Sequence, residues 1–411
     1  MEISKRDNFV INLVLGSIFF SQYIEFAVVF FVSIFFLKFK TNFKLILLGL
    51  IILSYSIIMI IINNYNLSHF FIRGLSCILI VIFYFSFVEN YKYFIPYIWD
   101  KYYKMCYLAC NIGIFQVIIS IIFKINIFYL FNSYPMYISG LYQPPTATLL
   151  ETADFACLLT PGLVYGLLKA KSLNEISKKT WLIFLTIILC FSSLSVLGIF
   201  AFLIICLFKQ FRKKTNYSLI WIASFSIIIG ILLFSVNVSN QEISTKDANN
   251  RDFKSVLVKF NQSFNALQHI DDITTFQDYN LSTFATLSNI NAAINAPNRL
   301  FGTGLGTHED NYIKIYGNET FGQMDRAFGL NSEDGYSLFT RLLSETGIFG
   351  LMFYLLFVYK RLDILNPISV SILVSIIMHL VGNGNYFING FVLFNVIYYK
   401  SFEIKGEDDL Y

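Results

Sequence analysis

Long apolar segments separated by short polar segments fill most of the chain. Eight of them approach the length of about 20 residues that a helix needs to cross a bilayer, and shorter segments suffice in a helical hairpin. Two further segments, 9–37 and 180–208, each predict either one long tilted helix or two short helices. The eight segments are residues 43–62, 70–88, 103–123, 153–168, 219–236, 336–359, 368–380 and 386–399.

Clusters of lysine and arginine between the apolar segments decide how the two long segments are divided. Cytoplasmic loops of membrane proteins carry an excess of these residues, so all clusters share one side only if an even number of crossings separates them. This requirement predicts a break near residues 21–23, a hairpin tip at 192–195 and a turn at 382–385. The fold predicted from this rule is an all-α, polytopic membrane helix bundle of about 12 transmembrane helices with both termini cytoplasmic.

One long polar segment divides the chain into three regions. We expect an N-terminal transmembrane bundle at residues 1–236, a large external loop at 237–335 and C-terminal transmembrane helices at 336–411. The loop has twelve acidic and seven basic residues, whereas the whole chain has a net charge of +4. Apolar residues recur at helical spacing over 256–267 and 284–294, and this pattern predicts two partly amphipathic helices in the loop, the second ended by Pro297.

Composition narrows the class of protein further. Apolar residues make up 56% of the chain and charged residues only 14%, against about 25% charged residues in a soluble domain. All six cysteines lie inside apolar segments, which favours buried packing over metal ligation. No small-residue cleavage site follows the first apolar segment, so we expect it to be retained as a helix. The acidic loop excludes nucleic acid as a partner, because binding phosphates requires a basic face.

A glycine-rich segment, residues 300–306, follows the second amphipathic helix. Three glycines at two-residue spacing, with Gly304 in the middle, permit positive φ angles and let the backbone approach a ligand such as a diphosphate or a sugar. A plain tight turn explains the same spacing, because neither a P-loop nor a dinucleotide-binding motif is present.

Four arginines could supply positive charge on the external side: Arg251, Arg299, Arg326 and Arg341. Arginine suits bidentate phosphate binding, so arginines converging on one cavity would indicate a pyrophosphate ligand. Arg341 falls about one turn inside a predicted transmembrane helix, where an ionised group tends to mark a polar cavity. Glu345 lies one turn further on, and a purely structural ion pair between the two residues is the alternative.

Carboxylates precede the same helix. Glu333 and Asp334 stand just before Tyr336, where they either cap the helix or include a general base for a hydroxyl group. His308 is a further titratable candidate in the external loop, with a surface role as the alternative.

The shorter external loop contributes a second set of candidates. Gln143 lies in the segment 139–145, and Glu151 and Asp154 lie at the start of the next helix, with capping as the alternative reading. Glu25 and Arg73 are placed near the outer ends of their helices, where they could line the polar interior of the bundle.

Four segments in this order resemble the bacterial O-antigen polymerase family, within a group that also includes O-antigen ligases. They are Gly140-Leu141-Tyr142-Gln143-Pro144-Pro145, the hairpin segment 193–198, the glycine segment 300–306, and the stretch 334–350 where the large loop re-enters the membrane. Ser139 and Gln143 differ from the arginine and the acidic residue of the family pattern. Tyr336-Ser337 stands where a ligase would have a His-Asn pair, and this difference favours a polymerase.

The resemblance implies metal-independent glycosyl transfer without a cofactor, at the outer face of the bacterial cytoplasmic (inner) membrane. The donor and the acceptor would both be undecaprenyl-diphosphate-linked glycans, and the other partners would be the lipid bilayer and a chain-length regulator protein. Two alternatives are an O-antigen ligase, which transfers glycan to lipid A core, and a lipid-linked oligosaccharide flippase or transporter.

The same resemblance assigns roles to individual residues. Asp334 and Glu333 are the candidates for the base, and Arg341 is the third catalytic candidate. The predicted substrate- and diphosphate-binding residues are Arg251, Arg299, Arg326, Gly304, Tyr336, His308, Gln143 and Glu151.

Overall fold

Over the residues that it describes, the computed structural model is helical apart from turns and one pair of two-residue strands. It describes residues 3–20, 22–38, 40, 42–124, 137–138, 142–149, 151–170, 172–190, 192–212, 250–251, 281–317 and 328–408. The predicted helices at 219–236 and 256–267 and the candidate Arg326 lie outside the described residues.

Helices α1 to α6 form the N-terminal part of the described chain. A π-helical turn, Phe70–Leu75, runs directly into α5, and a 3₁₀ turn, Lys92–Phe94, runs into α6. The bounds are α1 Lys5–Ser17, α2 Gln22–Phe35, α3 Phe43–Asn63, α4 Leu67–His69, α5 Ser76–Asn90 and α6 Ile95–Phe123.

The remaining helices follow in two groups. The bounds are α7 Thr152–Lys169, α8 Lys178–Cys190, α9 Ser193–Arg212, α10 Leu281–Ile294, α11 His308–Tyr316, α12 Leu338–Lys360, α13 Pro367–Gly382 and α14 Phe391–Asp408. A further 3₁₀ turn lies at Leu173–Glu175, and strand β1, Tyr137–Ile138, pairs in parallel with β2, Asn250–Arg251.

Helix α7 is the centre of the bundle. Every residue from 155 to 166 is buried, because α7 packs against α6, α8, α9 and α13. A helix that is apolar on all sides is stable only when it is surrounded in this way. Four of the six cysteines are also buried and all six are free thiols, as expected for packing residues.

Within the ranges that the structure describes, four helical segments are long and apolar enough to cross a membrane: Phe43–Asn63, Leu67–Asn90, Lys92–Phe123 and Leu338–Lys360. In α3 only Ser56 and Ile60 are buried, so most of its large aliphatic side chains face outward. A continuous exposed apolar surface of this kind marks contact with lipid or with another protein. The count of about 12 crossings and their orientation stay predictions.

The predicted breaks in the two long apolar segments are confirmed. Helix α1 ends at Ser17 and α2 begins at Gln22, and α8 ends at Cys190 before α9 begins at Ser193. Helix α8 packs against α6 and α7, whereas α9 packs against α7 and α13. The two halves of the second segment therefore have different neighbours.

Two predicted helix starts were wrong by several residues. Helix α6 begins at Ile95 rather than 103, because Pro96 near its N-terminus favours helix initiation. Helix α14 begins at Phe391 rather than 386. The side chains of Asn383 and Asn385 accept bonds from backbone N–H groups two residues on, and these local turns compete with helix formation.

Candidate functional site

The glycine segment is inserted into a break in α12. Gly347 has φ 70° and ψ −174°, which interrupts the helix. The N–H groups of Ile348 and Phe349 consequently donate to the carbonyls of Arg299 and Leu300, at 2.9 and 3.1 Å. The break therefore leaves no unsatisfied donor at these two positions, as burial in an apolar environment requires.

The glycine segment returns two bonds to the preceding turn of α12. The N–H of Thr303 donates to the carbonyl of Ser344 at 3.1 Å, and that of Gly304 donates to the carbonyl of Glu345 at 2.9 Å. These four bonds join the external loop to the helix that carries Arg341. Because backbone groups form them, they fix the loop independently of its side chains.

Gly304 allows the glycine segment to approach α3. Its φ is 103°, and a Cβ atom there would lie 2.9 Å from the Cα of Ser56. The Oγ of Ser56 accepts a bond from the N–H of Leu305 at 3.0 Å. In this structure Gly304 thus lets the backbone of the glycine segment pack against the backbone of α3. Its contact with a ligand stays a prediction.

A buried asparagine of α11 contacts the glycine segment and two other parts of the protein. The Nδ2 of Asn311 donates to the hydroxyls of Thr303 and Ser344, both at 2.7 Å. Its Oδ1 accepts a bond from the hydroxyl of Tyr65 at 2.6 Å. Asn311 is 1% exposed, so these contacts hold α11 against α12 inside the protein.

Arg341 lies buried in the first turn of α12 with 2% of its surface exposed. Its Nε donates to Glu345 at 2.9 Å, and its Nη1 donates to the carbonyl of Gly384 at 3.0 Å. Its guanidinium carbon lies 3.9 Å from the centre of the Tyr386 ring, and the Tyr386 hydroxyl donates to the other oxygen of Glu345 at 3.1 Å. The Nη2 atom is buried and has no partner among the described residues.

His308 is fully buried at the start of α11. Its Nε2 lies 2.9 Å from Oδ1 of Asn289 in α10, and its Nδ1 has no partner in the described part of the chain. Burial is the main cause that lowers the pKa of His308 to about 3, and the positive charges of Arg341 and Arg73 contribute to the same shift. The imidazole is therefore neutral at physiological pH.

The neighbouring carboxylates Asp334 and Glu333 differ in their burial and in their partners. Asp334 is partly buried, and its Oδ1 accepts the N–H of Tyr336 at 3.0 Å. Burial raises the pKa of Asp334, and the positive charge of Arg341 opposes this shift. Glu333 is 72% exposed, and its carboxylate lies 3.3 Å from Nη2 of Arg73.

The capping alternative for these carboxylates is wrong. Ser337 is the N-cap of α12, and its Oγ accepts the N–H of Thr340. Glu151 occupies the N-cap position of α7 but makes no side-chain capping bond. Asp334 instead accepts the N–H of Tyr336, in the turn that precedes α12.

A second charged cluster holds α11 to the π-helical turn. Arg73 donates to Glu309 at 2.5 Å, and His69 lies 3.3 Å from Asp310. From the sequence, Arg73 was expected to line the polar interior of the bundle and was not among the predicted site residues. The signal that could have found it is a cation within an apolar segment, which tends to mark a functional position.

The structure distributes the remaining candidates more widely. Arg299 is exposed and donates to Asn295 at 3.2 Å. Arg251 lies in β2, paired with Ile138. Arg341 is the candidate arginine whose charge acts on Asp334.

Residues of the shorter loop approach the same end of the bundle. Asp154 accepts bonds from the side-chain amides of Asn383 and Asn389 at 3.3 and 3.4 Å. Gln143 is buried, and its backbone N–H donates to Ser120 at 3.0 Å. Tyr336 adopts a left-handed φ of 61°, which completes the turn into α12.

Comparison with protein-family models, with curated proteins and with solved structures finds no match for this chain. Within the described ranges, no group of three or more His, Cys, Asp or Glu residues is arranged to hold a metal ion. The function is therefore argued from the residues around Arg341.

Proposed function

We propose that this protein is a membrane glycosyltransferase that polymerises polysaccharide repeat units. It would transfer an undecaprenyl-diphosphate-linked glycan onto another lipid-linked repeat unit at the outer face of the cytoplasmic membrane. The observation that carries the proposal is the buried guanidinium of Arg341, at the mouth of an apolar helix, where its charge acts on Asp334 and its Nη2 has no partner among the described residues.

The reaction requires a cation for the departing diphosphate and a base for the attacking hydroxyl. Arg341 is held by Glu345, Gly384 and Tyr386, so its position is fixed before a substrate binds. Asp334 has a raised pKa, which makes it a stronger base than an exposed aspartate. In this proposal Arg341 stabilises the leaving diphosphate and Asp334 accepts the proton of the hydroxyl.

A transporter is the second candidate, and the break in α12 is the observation that favours it. Transporters use unwound helices to bind substrates and ions through free backbone groups. In this protein four bonds to the glycine segment occupy N–H and carbonyl groups around Gly347. Because those groups are engaged, the break supports a fixed loop better than it supports a transport site.

The test is genetic complementation in the source bacterium. Deletion of the gene and complementation with Arg341→Gln or Asp334→Asn should abolish long polysaccharide, while each variant stays at normal level in the membrane fraction. Gel analysis of extracted glycans measures chain length. Normal chain-length ladders from both variants would contradict the site assignment, and an unsubstituted lipid A core with long glycan still on its carrier would indicate a ligase.

Matched controls come from an ion pair at the other end of α7. Lys169 lies 2.7 Å from Asp100, and it is the last residue of the helix whose first turn carries Asp154. Fifteen residues of helix separate the two ends by about 22 Å. Lys169→Gln and Asp100→Asn remove the same charges as the site variants and should leave chain length unchanged.

A further inference from the structure

Asp154 is a carboxylate that the proposed reaction does not use. It lies in the first turn of α7 and is partly exposed. Its Oδ1 accepts the side-chain N–H groups of Asn383 and Asn389 at 3.3 and 3.4 Å, which are long hydrogen bonds. No lysine or arginine in the described part of the chain forms an ion pair with it. An ionisable residue of an apolar bundle that lacks a partner of opposite charge is a candidate for function.

Two consecutive residues of the turn after α13 connect Asp154 to Arg341. The side chain of Asn383 bonds to Asp154, and the carbonyl of Gly384 accepts Nη1 of Arg341 at 3.0 Å. Gly384 also packs against the backbone of Asp334, because a Cβ atom at Gly384 would collide with the carbonyl oxygen of Asp334. The charges of Asp154 and Asp334 act on each other. Asp154 therefore belongs to the same site as Arg341 and Asp334.

Asn389 supplies a second observation at this position. It is 2% exposed, and its φ of 58° is left-handed, a conformation that asparagine adopts more readily than most residues. Its Nδ2 faces Asp154, while its Oδ1 is buried without a partner among the described residues. Both atoms belong to one planar amide, so this unfilled polar capacity lies beside the carboxylate. Buried polar atoms without a partner are rare in native proteins.

The groups around Asp154 restrict the kind of ligand. The negative charges of Glu151 and Asp334 both act on Asp154, so a phosphate is repelled at this position. A hydroxyl group fits, because it can donate its proton to the carboxylate. Each side-chain amide of Asn383 and Asn389 also has two N–H donors, of which the contact with Asp154 uses one. A carboxylate flanked by amide donors therefore suits a sugar, whose hydroxyls both donate and accept.

We propose that Asp154 binds a hydroxyl group of the sugar that is linked to the diphosphate, with Asn389 as the positioning residue that orients its carboxylate. The identity of the ligand as a lipid-linked sugar rests on the proposed function. Arg341 binds the diphosphate and Asp154 binds the adjoining sugar, because consecutive residues of one turn contact them. Asp334 keeps its role as the base.

Binding of two lipids to the full chain in lipid nanodiscs tests the proposal. The probes are undecaprenyl-diphosphate-linked glycan purified from the source cells and undecaprenyl diphosphate without sugar. Asp154→Asn should weaken binding of the first lipid by about 10-fold and should not weaken binding of the second, which also reports that the variant is folded. Unchanged affinity for the glycan would overturn the proposal. Equal weakening for both lipids would also overturn it, because the carboxylate would then act on the fold or on Arg341.

A glycine variant tests the positioning role of Asn389. Asn389→Gly keeps the left-handed backbone and removes the amide, so it should weaken binding of the glycan by about 3- to 10-fold and leave binding of the sugar-free lipid unchanged. Asn64→Gly is the matched control, since Asn64 has a φ of 56° and is exposed. It should bind both lipids as the wild type does. Equal glycan affinities in the two variants would overturn the positioning role.

Kinetics separate this inference from the proposed function. Asp154→Asn should raise the KM for the lipid-linked glycan by about 10-fold with little change in kcat, whereas Asp334→Asn should lower kcat. Polymerisation by Asp154→Asn with an unchanged KM would overturn the inference and leave the proposed function standing. Glycan binding that depends on Asp154 in a protein that does not polymerise it would do the reverse. A wild type that binds neither lipid would refute both.

Discussion

Acid should loosen the packing of α11 against α10 through His308. In an open state the imidazole binds a proton below its ordinary pKa of 6.5, whereas in the closed state the pKa is about 3. Between these values the open state binds more protons, so stability is lost as the pH falls from about 6.5 to about 3 and does not change further below that. From pH 6.5 to 4.5, one such group lowers the free energy of opening by about 2 kcal/mol, a 30- to 50-fold increase in opening.

Hydrogen exchange of peptides from α10 and α11 measures this opening. His308→Gln is the matched control, because it removes the titration of His308 and leaves the carboxylates unchanged. Asp310 and Asp334 have raised pKa values, mainly through burial, and they stabilise the closed state as the pH falls. The prediction therefore concerns the difference between wild type and His308→Gln. Equal pH dependence in the two proteins would refute the buried, neutral state of His308.

Three further substitutions test the contacts that fix the loop, each by thermal unfolding in detergent or by hydrogen exchange. Gly347→Ala should destabilise the protein by about 3 kcal/mol or more, because the backbone conformation of Gly347 is nearly restricted to glycine. The control is Gly16→Ala, whose added Cβ meets no atom within 4 Å and which should be neutral or slightly stabilising. Similar melting temperatures for the two variants would count against the break at Gly347. Asn311→Leu leaves the buried hydroxyls of Thr303 and Ser344 without their shared donor, so it should lower the free energy of unfolding by about 1–3 kcal/mol. A decrease under about 0.5 kcal/mol, as expected for a surface substitution, would argue against the buried network. Arg73→Gln removes the cation that Glu309 binds in an ion pair whose side chains are only 16% and 20% exposed. It should cost about 1–3 kcal/mol, seen as faster exchange in α11, and a loss under about 0.5 kcal/mol would mean that the pair does little to hold α11.

Apolar length and charge placement predicted much of the bundle. The breaks before Gln22 and Ser193 followed from the requirement that basic clusters share one side, although both lie inside continuous apolar segments. The start of α14 could not be read in this way. The turns at Asn383 and Asn385 depend on side-chain bonds to the local backbone, and the apolar residues that follow have the composition of a helix.

The candidate site was predicted where its residues are neighbours on one helix. Arg341 and Glu345 are four residues apart, so their contact follows from helical geometry. The contact between His308 and Asn289 joins two helices 19 residues apart in the chain, and no periodic pattern indicates it. The ion pairs of Arg73 were not predicted for the same reason, since its partners Glu309 and Glu333 lie more than 200 residues away in the chain.

The atoms that hold the glycine segment and α11 in place are not the atoms that lack a hydrogen-bond partner among the described residues. Backbone bonds around Gly347 and the side-chain bonds of Asn311 hold the loop, whereas Arg341 and His308 each keep an unused polar atom. Apolar residues of similar size in place of a buried ionic group are often neutral or stabilising, so folding alone does not require these two side chains. Departures from local consistency of this kind are expected at functional sites. The scaffold therefore offsets the cost of two polar atoms that have no partner among the described residues.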